Sequence, residues 1–468
     1  MSGVLLSRAA GADGAVVSSD ADLRAQFDLL LASGGGSALW PDPETGRTAA
    51  GSALQPAAHE IWFSSTDATA PSARAHADAL AMLTRVMGTQ GAGGLTLSRW
   101  FENLRERIAT LYGTQGSTVF LSPSIHAARN LARAIAYAIH GTRLGELSAG
   151  HSESSDFPAP ENLMDVALRG NDGLPRDMAA IEAEALDLAA SLDSPLFIHL
   201  LHRSRGGLRG LSQDWAQEVA RFSEIFLLVD ASAMRAEPDE LQAELHKGAC
   251  VLIAGSTFLS GPEGCAALIV PNELLHLMCH QPPADLVEEL RAYDLPFYWR
   301  EPLLGRIAGR VNLGLGLRWS AALSEAERYH ASSIAVRMAV LDTFTQKVRT
   351  RLTRCEQMLP DAYFDDADAL RGAIVPLVLP DLRGIEAVAV ADDLRQALAM
   401  PLDDQGDAIC HLGAVLDLQG QAALPLSASA SMVSDVAERI ARGTSFERAV
   451  APLLRDVDTL FLKLERLG

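Results

Sequence analysis

Asp230 closes the apolar run Ile225-Phe226-Leu227-Leu228-Val229. A carboxylate at the end of a buried strand is costly unless a cation or several donors meet it. A protonated heterocyclic nitrogen, a local arginine such as Arg235, or a helix N-terminus would each serve. Further along stand Gly255-Ser256-Thr257-Phe258 and then Gly261-Pro262, so hydroxyls follow the next apolar run. Residues 118–131, TVFLSPSIHAARNL, read as a strand, a turn and a helix start, with Ser124 and His126 at the turn. The free N–H groups of such a helix start suit a phosphate. Ser122 or Ser124 would equally serve as a plain N-cap. His151 and His202 each follow a predicted strand, and His151 reads equally as a plain loop histidine. Arg203, Arg205 and Arg209 lie in HRSRGGLRGLS, which is either a solvated basic loop or a site for an anionic ligand.

The elements that must position these residues alternate. Apolar runs at 117–121, 143–148, 195–201, 225–230 and 250–255 are separated by helical patterns at 125–139, 176–192, 213–223 and 238–246. Strand and helix in alternation imply βαβ units and a mostly parallel sheet. The run at 265–270 follows too soon for a helical crossover and is expected to pair antiparallel with 250–255. Before the sheet, helices are expected near 72–88 and 96–112, and residues 34–70 read as an irregular arm. Beyond it, one long helix is expected over about 325–356, then strands at 373–379, 409–415 and 422–428. The division is residues 1–70 as N-terminal helix and arm, 71–320 as a large α/β domain, and 321–468 as a small α+β subdomain.

The stretch from Phe226 to Pro271 resembles the cofactor-anchoring core of the fold-type I pyridoxal phosphate (PLP) enzymes, the aspartate aminotransferase superfamily, including its class V-like aminotransferases. The resemblance implies a mainly parallel seven-stranded sheet flanked by helices, with a smaller C-terminal α+β subdomain. It implies that Asp230 would meet the pyridine nitrogen of PLP, and that Ser124, His126, His151 and Ser256 would surround the cofactor. It also places the Schiff-base lysine at the position held here by Thr257. Ile125 and His126 stand where the family's phosphate turn carries Gly and Thr. The strand AALPLSAS, 422–429, resembles one that often carries a carboxylate-binding arginine, but offers Leu424 and Pro425; Arg371 and Arg383 flank another strand and could substitute.

The three lysines are Lys247, Lys347 and Lys463. Lys247 precedes the strand 250–255, at the end opposite Thr257. Ligands in open α/β sheets bind outside the carboxyl ends of the strands, so it cannot reach. Lys347 and Lys463 fall in predicted helices away from these ends. Arginine stays protonated and forms no imine.

At 468 residues the chain can bury a large core, and its net charge of −20 argues against nucleic acid or an anionic membrane as partner. The five cysteines are scattered, which suggests reduced thiols and a cytoplasmic location. No signal peptide and no run of 18 apolar residues is visible. No metal site is expected, because His246, Cys250, Cys265, Cys279 and His280 lack finger-like spacing.

Two functions follow. The first is a degenerate PLP-fold subunit without lysine-based catalysis, in a homodimer or in a heterodimer with an active relative, since the resemblance places active sites at a dimer interface. The second is an enzyme that binds PLP or pyridoxamine phosphate (PMP) non-covalently. It would use His126, His151 or His202 as base on an amino-acid- or sugar-like substrate.

Overall fold

The computed structural model describes residues 20–49, 51–57, 59–67, 69–88, 94–154, 160, 162–281, 283, 294–296, 312–354, 373–379, 384–402 and 407–467. Strand β1 (Glu60–Phe63) lies within the expected arm. The central sheet is built from β2 (Ser117–Ser122), β3 (Gly145–Ala149), β4 (Leu163–Val166), β5 (Leu196–Leu201), β6 (Ile225–Asp230), β7 (Cys250–Ala254) and β8 (Ala266–Pro271). Its seven strands run in the order β2-β8-β7-β6-β5-β3-β4. From β7 through β6, β5 and β3 to β4 every pairing is parallel, and β8 is antiparallel to both β7 and β2. The antiparallel expectation for 265–270 is therefore met.

Period-two alternation explains why these strands read as continuous apolar runs. In β6, Phe226 and Leu228 pack into one buried cluster and Leu227 and Val229 into another. In β7, Cys250 and Leu252 take the first side and Val251 and Ile253 the second. The first side is covered by the helix Ile125–His140, through Ala128, Leu131, Ala132 and Ile135.

C-terminal to this sheet, β9 (Ile374–Val378), β11 (Leu416–Leu418) and β12 (Gln421–Ser427) form an antiparallel three-stranded sheet in the order β11-β12-β9. Strand β10 (Ile409–Leu412) pairs in parallel with β1, register Glu60↔Ile409. The stretch 34–70 is thus not wholly irregular: β1 ties it to the C-terminal elements. The expected strand 409–415 is shorter, ending as β10 at Leu412, and β11 begins beyond it at Leu416. The expected long helix is two helices, Leu313–Ala331 and Ile334–Leu352. Ser333 starts the second by accepting the Val336 N–H at its side chain, a local bond that competes with continuing one helix. Arg371 and Arg383 lie outside the described residues.

Two glycines that mark the 250–271 stretch are required by close packing. A Cβ on Gly255 would lie 2.6 Å from the Ala322 Cβ, and one on Gly261 would lie 2.7 Å from it and 2.7 Å from the Gly255 carbonyl. The helix Leu313–Ala331 presses directly on the loop that carries Thr257. No helix among the described residues is long and apolar enough to cross a membrane.

Candidate functional site

A cavity of about 530 Å³ opens at the carboxyl ends of the parallel strands. Its walls come from Gly34–Gly36 of the N-terminal arm, Pro123–His126 at the start of the covering helix, Arg203 and Arg205 after β5, Ser232 after β6, and Ser256 and Thr257 after β7. Ser124, His126, Ser256 and Thr257 all line it. Asp230, His151 and His202 are not among its lining residues. No lysine among the described residues lines it either.

The Ser124 side chain is an N-cap, accepting the Ala127 N–H at 3.0 Å. The His126 Nε2 lies 3.1 Å from the Asn130 Nδ2, one helical turn on. The His151 backbone N–H donates to Asp165 Oδ1 at 3.0 Å. The His202 N–H donates to the backbone carbonyl of Asp230 at 3.0 Å. Thr257 Oγ1 donates to the Ser232 carbonyl at 2.7 Å and so joins the loops after β6 and β7.

Asp230 is 4 % exposed and its carboxylate is engaged from within the protein. Arg129 donates to Oδ2 through Nε, at 3.2 Å, and through Nη2, while Oδ1 accepts the Ser232 N–H at 3.0 Å. Burial raises the Asp230 pKa, but the Arg129 charge and the bonds from Ser232 outweigh it, and the carboxyl sits below its ordinary value. Among the cations weighed from sequence, Arg235 was the local choice; Arg129, which is remote in sequence, is the one that arrives. Its signal was the helix pattern: Arg129 sits among buried Ala127, Ala128, Leu131 and Ala132, on the face that must cover the sheet.

The same face carries a second buried pair. Arg133 donates to Glu146 of β3 through Nε at 2.7 Å and Nη2 at 3.0 Å. The Nε2 of His199 of β5 lies 3.6 Å from Oε2, the oxygen that also accepts from Arg133 Nη2. The helix is therefore clamped by charge to two strands, β6 and β3.

The lysines are placed elsewhere. Lys247 caps the helix Pro238–His246 and lies 3.9 Å from Asp214. Lys347 pairs with Asp458 at 2.7 Å. Lys463 donates to the carbonyls of Leu398, Met400 and Ala408. Of the basic loop, Arg205 pairs with Asp67 at 2.8 Å and Arg209 lies 4.0 Å from Glu240. At the C-terminal sheet, Leu424 and Pro425 are buried in β12, Pro425 opposite Pro376.

Comparison with solved structures defines the class of fold. The cysteine desulfurase CsdA of Escherichia coli superposes with a TM-score of 0.57 at 16% identity, over 87% of this chain and 94% of that one. A NifS-like protein from Rickettsia africae gives 0.54 at 11% identity, over 87% and 99%. Pyridoxamine-pyruvate aminotransferase from Mesorhizobium loti gives 0.52 at 12% identity, over 86% and 97%. The chain has the fold of the fold-type I PLP enzymes. No protein-family model matches the sequence, and no curated protein matches it.

The residues present do not fit PLP bound in the manner that the resemblance implies. An imine needs a lysine, and none among the described residues lines the cavity. A protonated pyridine nitrogen would share the Asp230 carboxylate with the Arg129 guanidinium, two cations on one anion.

Proposed function

We propose that this chain is a non-catalytic, PLP-transferase-like protein that acts as a subunit of a homodimer or of a heterodimer with an active relative. The observation that carries the reading is the Arg129–Asp230 ion pair, together with Thr257 bonded to Ser232. The pair satisfies from inside the protein the carboxylate that a PLP enzyme reserves for its cofactor. Thr257 likewise spends its hydroxyl on holding two loops together. Both replacements stabilise the pocket's frame and supply neither an imine nor a proton acceptor.

Retention of the whole seven-stranded sheet supports a role that needs the fold's shape. Completing a partner's site is such a role. The scattered free thiols of Cys250, Cys265, Cys279 and Cys410 support a reducing, cytoplasmic setting.

The test is a titration of the purified protein with PLP and with PMP, by calorimetry and absorbance. The expected result is no imine band and no saturable binding at millimolar ligand. Saturable binding that is lost in Asp230→Ala would overturn the reading and direct attention to a non-covalent enzyme with His126 on the cavity wall.

A further inference from the structure

Arg235 is a buried guanidinium that no carboxylate among the described residues pairs with. It is 9 % exposed. Nη2 donates to the Ser65 hydroxyl at 2.7 Å, and its face lies 4.1 Å from the centre of the Phe258 ring. Its Nε and Nη1 are buried without a hydrogen-bond partner among the described residues. A second buried cation, Arg203, also acts on its charge unfavourably; Arg203 is 3 % exposed and lines the cavity. A buried cation in such surroundings is unfavourable unless an anion meets it. Burial, with Arg203 adding to it, pushes Arg235 down to about 9, so it still carries its charge near neutral pH.

The surroundings are built to hold it there. Met234 takes a left-handed backbone conformation, φ 52°, which a bulky residue adopts only at a cost, and it delivers the next residue inward. Ser65 accepts from Arg235 and in turn lies 2.6 Å from the Ser427 hydroxyl and donates to the Ala428 carbonyl at 2.8 Å. The guanidinium is thus fixed between the large sheet and the C-terminal strand β12. Arg203 and, from the loop that carries Arg235, Ser232 and Ala233 line the cavity; Arg235 itself is not among the lining residues.

We propose that Arg203 and Arg235 form a binding site for the oxyanion group, carboxylate or phosphate, of a small molecule that occupies the adjoining cavity. A planar guanidinium with two unused donor atoms suits the paired oxygens of such a group. The cavity's volume is that of a small-molecule site. The site uses neither Asp230 nor Thr257. It therefore goes beyond the non-catalytic reading, and a failed PLP titration leaves it standing.

The experiment measures thermal stability and calorimetric binding with sodium phosphate and with sodium succinate, each against sodium chloride at equal ionic strength. One of the two is expected to raise Tm by several degrees at millimolar concentration, and which one does so separates phosphate from carboxylate recognition. Arg235→Met is expected to be at least as stable as the wild type in chloride and to lose that shift. Arg235→Lys, which keeps the charge and lacks the fork, is expected to bind at least tenfold more weakly. The proposal is overturned if neither anion exceeds chloride, or if Arg235→Lys binds as tightly as the wild type. It is also overturned if Arg235→Met changes only the oligomeric state, which would make the missing anion a partner's carboxylate.

Discussion

Arg129 and Asp230 form a buried ion pair across 101 residues of sequence, from the first turns of the helix Ile125–His140 to the last residue of β6. Both side chains are less than one-tenth exposed. The pair follows from strand periodicity: Phe226 and Leu228 face the covering helix, so Asp230 must face it too. Removing one partner leaves the other charge buried and uncompensated. Arg129→Met is expected to cost about 3–5 kcal/mol, and Arg129→Met with Asp230→Leu to recover most of it. Chemical denaturation of both variants checks this, and an additive double variant would sink the idea of a coupled pair.

Thr257 holds the loop after β6 through a single hydroxyl. Thr257→Val keeps the shape and leaves the Ser232 carbonyl without that donor, at a cost of about 1–3 kcal/mol. Thr257→Ser is expected to stay close to the wild type. Equal stability of the Val and Ser variants would show the bond to be unimportant.

Gly261 sits against the helix Leu313–Ala331. Gly261→Ala places a methyl group 2.7 Å from both the Ala322 Cβ and the Gly255 carbonyl. Overpacking of this kind is expected to cost about 1–3 kcal/mol. Gly248→Ala is the control for positive-φ strain alone: φ is 88° there, but nothing lies within 4 Å of the added Cβ. Thermal melts of the two variants separate the effects.

His330 is pushed down to about 4, first by burial and then by the Arg337 charge. Its ring meets Tyr112 edge-on, with centroids 5.7 Å apart. The folded state therefore holds the neutral ring, while the unfolded chain takes up a proton near pH 6.5. The contribution is present above about pH 6.5 and is lost as pH falls toward about 4, up to about 3 kcal/mol in all. His330→Phe is expected to flatten the stability profile over that window. An unchanged slope in this variant would place the pH dependence on other groups.

Much of the frame was legible in the sequence. The runs ending at Leu201, Asp230 and Ala254, with helices between, suffice for a parallel sheet, because apolar strands buried on both faces have few other arrangements. The short spacing before Ala266 decides its antiparallel pairing. The place of Lys247 ahead of its strand was legible as well. Less visible were β1 and β4: four-residue strands carry too short a pattern, and β1 becomes a strand only by pairing with β10. The break at Ser332–Ser333 was hidden because helical periodicity continues on both sides of it.

By itself the sequence determined the order of the elements, the apolar faces they bury and the residue types at the strand ends, because these depend on local spacing. Only the tertiary structure decided which cation meets Asp230 and which meets no carboxylate among the described residues. Arg129 reaches the carboxylate because its helix covers that face of the sheet, while Arg235, five residues from Asp230, turns instead toward Ser65 and Phe258. Charge pairing depends on distance in space, and spacing along the chain carries no record of it.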